Sequence, residues 1–175
     1  MPRNIEIKAR IPDLAALARR AAERAGSAPE VLLQDDTFFR CENGRLKLRE
    51  FADGRGELIF YRRPDACGPK TSHYQIVATE HPAALREALA AALGLAGRVI
   101  KRRTVYLVGR TRVHLDEVQG LGDHLELEVV LAADEDEAAG VQEAQALLAA
   151  LGVPPEACLE GAYVDLLQRA GAGGD

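Results

Sequence analysis

At 175 residues the chain is long enough for one domain that buries a substantial core without staples. Its 47% hydrophobic and 28% charged residues fit an ordinary soluble protein, with no apolar run near the roughly 20 residues of a membrane span. The start MPRNIEIK lacks a secretory signal, a net charge of −5 argues against a general nucleic-acid binder, and a cytoplasmic location is expected.

RNIEIKAR, residues 3–10, alternates Ile5, Ile7 and Ala9 with Asn4, Glu6, Lys8 and Arg10, the period of a strand with one apolar and one polar face. IPDLAALARRAAERAG follows as a helix, opened by Pro12 and Asp13 and stopped by Gly26. Strands are expected in LLQDDTFFRC, RLKLREFA, GELIFYRRP and SHYQIVAT, with turns at ENG and DGRG between some of them. Lys70 and Ser72, in KTSHY, are placed on a loop that could reach phosphate. PAALREALAAALG is a second helix between Pro82 and Gly94. Strands return in GRVIKRRTVYLVG, TRVHLDEV and DHLELEVVL. The acidic start of DEDEAAGVQEAQALLAALG suits the N-terminal end of a third helix, and EGAYVDLLQRA reads as a short last one. The three scattered cysteines, Cys41, Cys67 and Cys158, make neither a disulfide framework nor a zinc site. One domain is expected over residues 1–170, with a disordered tail at 171–175. The class is α+β, and about eight mostly antiparallel strands are enough to curl a sheet shut.

The charged faces repeat along the chain. Arg45, Lys47 and Arg49 oppose Leu46 and Leu48, and Lys101 lies with Arg103. Arg112, His114 and Asp116 oppose Val113 and Leu115, while His124, Glu126 and Glu128 oppose Leu125, Leu127 and Val129. A sheet wetted on one face alternates in the same way. Two features favour a lining instead: these faces are almost wholly ionised, and their signs are segregated by strand. Inward charge without a partner is costly. Around a multiply charged anion and its metal it becomes useful, Arg and Lys taking phosphate oxygens and carboxylates taking Mg²⁺ or Mn²⁺.

NIEIKAR, RLKLRE, KRR, HLDEVQGLGDHLELE and YVDLL together resemble the CYTH family, the group of class IV adenylate cyclases and thiamine triphosphatases, over about residues 3–167. The resemblance implies a triphosphate tunnel, a closed antiparallel eight-stranded β-barrel with helices outside. By the same resemblance Glu6, Asp116, Glu126 and Glu128 would hold the metal, Mg²⁺ or Mn²⁺. Lys8, Arg10, Lys47, Arg49, Arg63, Lys101, Arg103 and Arg112 would hold the substrate, with Lys8 and Asp116 catalytic. The family signature ExExK has Asn4 in place of its first Glu, so a second metal should bind more weakly here.

The implied reaction is adenylate cyclase-like, ATP giving cyclic AMP and pyrophosphate. The alternatives are hydrolysis of an organic or inorganic triphosphate, and a non-catalytic module that binds polyphosphate or a nucleotide. Expected partners are the triphosphate and a second copy of the chain in a homodimer, with neither nucleic acid nor membrane. His114 and His124 read as lining residues before catalytic ones, and Tyr163 is a candidate to close one tunnel mouth or simply to pack.

Overall fold

In a computed structural model, described for residues 1–172, the strands close on themselves. In chain order the elements are β1 (Arg3–Arg10), α1 (Leu14–Ala22), β2 (Glu30–Phe39), β3 (Arg45–Phe51), β4 (Gly56–Arg62), β5 (Lys70–Thr79) and α2 (Pro82–Leu93). Then come β6 (Leu95–Val108), β7 (Thr111–Val118), β8 (Gly122–Leu131), α3 (Glu137–Ala150), a 3-10 turn at Pro155–Ala157 and α4 (Tyr163–Ala172). Around the barrel the strands run β1-β5-β4-β3-β2-β6-β7-β8, each antiparallel to its neighbours. The expected closed eight-stranded barrel with helices outside is the fold found. Among the described residues no helix is long and apolar enough to cross a membrane.

Period-2 alternation gives the wall two chemistries. Ile5, Ile7, Ala9, Val113, Leu115, Leu125, Leu127 and Val129 point outward from β1, β7 and β8 into the main apolar core. Leu17 and Ala21 of α1 and Ala144 and Leu148 of α3 cover them. A second cluster seats Ala162, Tyr163 and Val164, at the start of α4, on Phe38, Val99 and Val118 at one end of the barrel. On β1, β7 and β8 the apolar half therefore packs under helices and the ionised half faces the inside, whereas Val31, Leu33, Val77 and Ile100 leave apolar outward positions of β2, β5 and β6 exposed.

Three local readings are corrected. Helix α1 is capped by the Asp13 side chain on the Ala16 amide and ends at Ala22. Gly26 does not stop it, and its amide donates instead to the Leu107 carbonyl. The strand expected from Ser72 begins earlier, at Lys70, so Lys70 and Ser72 both lie in β5 and not on a loop; β1 pairs with them, Ser72 opposite Asn4 and Lys70 opposite Glu6. Helix α4 runs through Gly171 and Ala172, the first two residues of the expected tail, and the rest of that tail lies outside the described residues.

Candidate active site

The inward side chains enclose a cavity of about 340 Å³. Its closed end is Tyr163 and Ala162, which the turn before α4 sets across the barrel between Phe38 and Val99. Its open end lies where β2, β4 and β7 begin and β3, β5 and β6 end; there Leu32, Phe51, Ile76 and Val105 give an apolar rim interrupted by Glu30 and Glu57.

One wall, from β2, β3 and β6, is basic around a single carboxylate. Asp36 is 1% exposed and accepts from Lys47 Nζ at 2.9 Å, Lys101 Nζ at 3.0 Å, and Arg49 Nε and Nη2 at 2.8 Å each. Burial opposes its charge, yet Arg49, Lys101 and Lys47 together hold Asp36 well below the usual carboxylate range. With three cations sharing one anion, the most easily discharged is the buried Lys101, whose pKa burial pushes down to about 7 against the pull of Asp36.

The opposite wall, from β1, β7 and β8, is acidic. The register sets Glu6 opposite Glu128 and Lys8 opposite Glu126 on β8, and across β7 it sets Arg112 opposite Glu128 and His114 opposite Glu126. Lys8 is paired with Glu126, and its ammonium lies 4.0 Å from the centre of the Tyr163 ring. Arg112 grips Glu128 at 2.7 and 3.0 Å, and Arg63 Nε sits 3.0 Å from Glu6. Burial raises the pKa of Glu6; Arg63 opposes this and the neighbouring Glu126 adds to it. One ligand atom from each of His114, Glu126 and Glu128 lies within 4.8 Å of the others. Asn4 Oδ1 is buried with no hydrogen-bond partner. This donor set fits a divalent cation: carboxylates that repel one another, with polar atoms left unsatisfied, are what a cation would relieve.

Most residues singled out from sequence meet here. Glu6, Lys8, Lys47, Arg49, Arg63, Lys101, Arg103, Arg112, Glu126 and Glu128 all line the cavity. Two do not. Arg10 is exposed at the end of β1, where the strand has run past the lumen. Asp116 lies below the lining, fully buried, clamped by Arg103 at 2.6 and 2.7 Å and by the Tyr163 hydroxyl at 2.8 Å. Burial opposes its charge, but Arg103 holds its pKa down to about 2. With both oxygens engaged, Asp116 orients Arg103, whose guanidinium also reaches Glu126 at 3.2 Å. His124 is likewise buried, its Nδ1 3.0 Å from the Gly122 carbonyl and its ring edge-on to Tyr163. Tyr163 both packs and closes one end.

Asp36 was missed, although the signal was available. In LLQDDTFF the parity test places Gln34, Asp36 and Phe38 on one face, and all three line the cavity.

Comparison with known proteins agrees with this architecture. The family model described as CYTH domain matches residues 2–163. No curated protein matches the chain. Among solved structures, the PH1012 protein of Pyrococcus horikoshii OT3 superposes with a TM-score of 0.83 at 20% identity, covering 94% of this chain and 99% of that one. A candidate adenylate cyclase from Vibrio parahaemolyticus gives 0.77 at 16% identity, covering 94% and 97%. HpAC1 from Hippeastrum, a candidate adenylyl cyclase with a dominant triphosphatase activity, gives 0.65 at 17% identity, covering 97% and 96%. At such identities the likeness is one of fold.

Proposed function

The chain belongs to the CYTH domain family, and from that premise we propose that its lumen takes up a nucleoside triphosphate together with Mg²⁺ or Mn²⁺ and cleaves it at phosphorus, ATP giving cyclic AMP and pyrophosphate. The observation that carries this reading is the division of the lining into a basic wall around Asp36 and an acidic wall around Glu126 and Glu128. Cations outnumber carboxylates among the lining residues, the balance that a net-negative metal–triphosphate complex requires.

In this reading the lining side chains pair with one another until the substrate exchanges the partners. Lys47, Arg49 and Lys101 turn from Asp36 to phosphate oxygens, while Lys8, Arg63 and Arg103 leave the carboxylates free to hold the cation. Arg forks grip oxygens in pairs and Lys acts as a point charge. The cation supplies neutralisation of phosphate charge and polarisation of the phosphorus–oxygen bonds. The side chains supply position and a preorganised field, which is most of what phosphoryl chemistry asks of a protein. The apolar rim of Leu32, Phe51, Ile76 and Val105 is where a nucleoside would rest, leaving the phosphates inside.

Hydrolysis of the triphosphate is a second reading: the same lining serves both reactions, and each needs an acceptor for the nucleophile's proton, a role Asp116 could take only on release from Arg103 and Tyr163. Incubation of the purified protein with ATP and Mn²⁺ or Mg²⁺ tests both. Cyclic AMP with pyrophosphate establishes the first, and ADP with free phosphate establishes the second. Tight binding without turnover would overturn both in favour of a binding module. Replacing both Glu126 and Glu128 by Gln should abolish metal-dependent turnover, and retained activity would sink the metal assignment.

A further inference from the structure

His114 on β7 is 4% exposed, and its Nδ1 has no hydrogen-bond partner. That nitrogen nevertheless faces two carboxylates, with Glu126 Oε1 at 3.5 Å and Glu128 Oε1 at 4.0 Å. A buried donor or acceptor left unsatisfied is destabilising, and such atoms in folded proteins usually have an occupant for the space they face. The other oxygens of these carboxylates are paired, Glu126 Oε2 with Lys8 and Glu128 Oε2 with Arg112, and Glu126 Oε1 accepts from Arg103 Nη2 at 3.2 Å, a partner that the cation would displace. The three atoms that converge are thus the imidazole nitrogen and the two Oε1 atoms.

We propose that His114 is itself a metal ligand, completing a site of one imidazole and two carboxylates with Glu126 and Glu128, and that this nitrogen makes the site select first-row transition ions over Mg²⁺. The inference rests on the reading of the lumen as a metal–triphosphate site and deepens it by naming the class of metal. Mg²⁺ prefers oxygen donors in near-ideal octahedra and gives up its waters reluctantly, whereas imidazole suits transition ions, increasingly so from Mn²⁺ to Co²⁺ and Ni²⁺. Asn4, in the position of a family carboxylate, adds a neutral oxygen on the same side of the lumen and further lowers the charge that an all-oxygen Mg²⁺ site would draw upon.

The test uses the full chain and metal alone, without nucleotide. Pulsed electron paramagnetic resonance of the Mn²⁺-loaded protein should show a ¹⁴N coupling from a directly bound imidazole, and His114→Gln should remove it. Calorimetric titration should rank affinity as Co²⁺ above Mn²⁺ above Mg²⁺, with His114→Gln weakening Co²⁺ by about tenfold or more and Mg²⁺ much less. Mn²⁺ that binds without ¹⁴N coupling, and is weakened by Glu128→Gln, would overturn the His114 assignment while leaving the metal site standing. A coupling that survives in His114→Gln would also overturn it. No Mn²⁺ binding even with tripolyphosphate present would overturn both readings. Should His114→Gln fail to fold, the presence or absence of the ¹⁴N coupling in the wild type still decides.

Discussion

Asp36 is the shared anion of Lys47, Arg49 and Lys101. Removing one partner of a buried ionic cluster leaves the others uncompensated at a cost of about 3–5 kcal/mol. Asp36→Asn should therefore lower the melting temperature markedly, and added tripolyphosphate should restore more stability than it adds to the wild type. Equal shifts in both proteins would mean that these cations do not meet phosphate. Lys101 gives the pH dependence. Its pKa falls from 10.5 to about 7 on folding, so between those values the unfolded chain holds a proton that the native chain has released, and stability from this group rises with pH across that window. Binding of a polyanion has the opposite sign, since it draws the proton back. Triphosphate affinity should fall as pH rises above about 7, with proton uptake seen at about pH 8 by calorimetry in buffers of different ionisation enthalpy. Lys101→Met should reduce that uptake, and uptake unchanged in the variant would remove Lys101 from the phosphate site.

The element that turns an open-ended barrel into a one-mouthed pocket is α4. It seats against β6 where Gly97 has φ +156°, and a Cβ there would overlap Val164 Cγ2. Valine is stiff about its first side-chain torsion, so it cannot swing aside and the helix must move instead. Gly97→Ala should cost about 1–3 kcal/mol, an overpacking penalty. The same shift should displace Tyr163 from its bond to Asp116 and loosen the closed end. Hydrogen exchange should then show lost protection in α4 with α3 unchanged; equal loss in both helices would point to global destabilisation instead. The strands show why some of the site was legible and some was not. In β1, β3, β7 and β8 charge alternates with aliphatic residues so regularly that the faces separate on sight. In β2 the inward set is Gln34, Asp36 and Phe38 beside an outward Asp35, so neither face looks ionised. Lys70 and Ser72 were misplaced because the inward face of β5 opens with polar residues, the composition of a loop.

For the whole molecule, the net charge of −5 and the cationic lumen are compatible because closure separates inside from outside. The amino-acid sequence by itself pointed to about eight strands, several of them with an apolar and an ionised face, and the family motifs then named most of the charged residues that line the cavity. Alternation is a local property, set by the pleat, and needs no partner strand to be legible. What only the tertiary structure decided is who faces whom. Arg103 and Tyr163 clamp Asp116 away from the lumen, Asp36 gathers three cations, and His114 is left facing two carboxylates. Those relations depend on the stagger of strands far apart in sequence and on where the last helix lands. Coulombic and hydrogen-bond energies change over a few ångströms, so they stay undetermined until the barrel has closed.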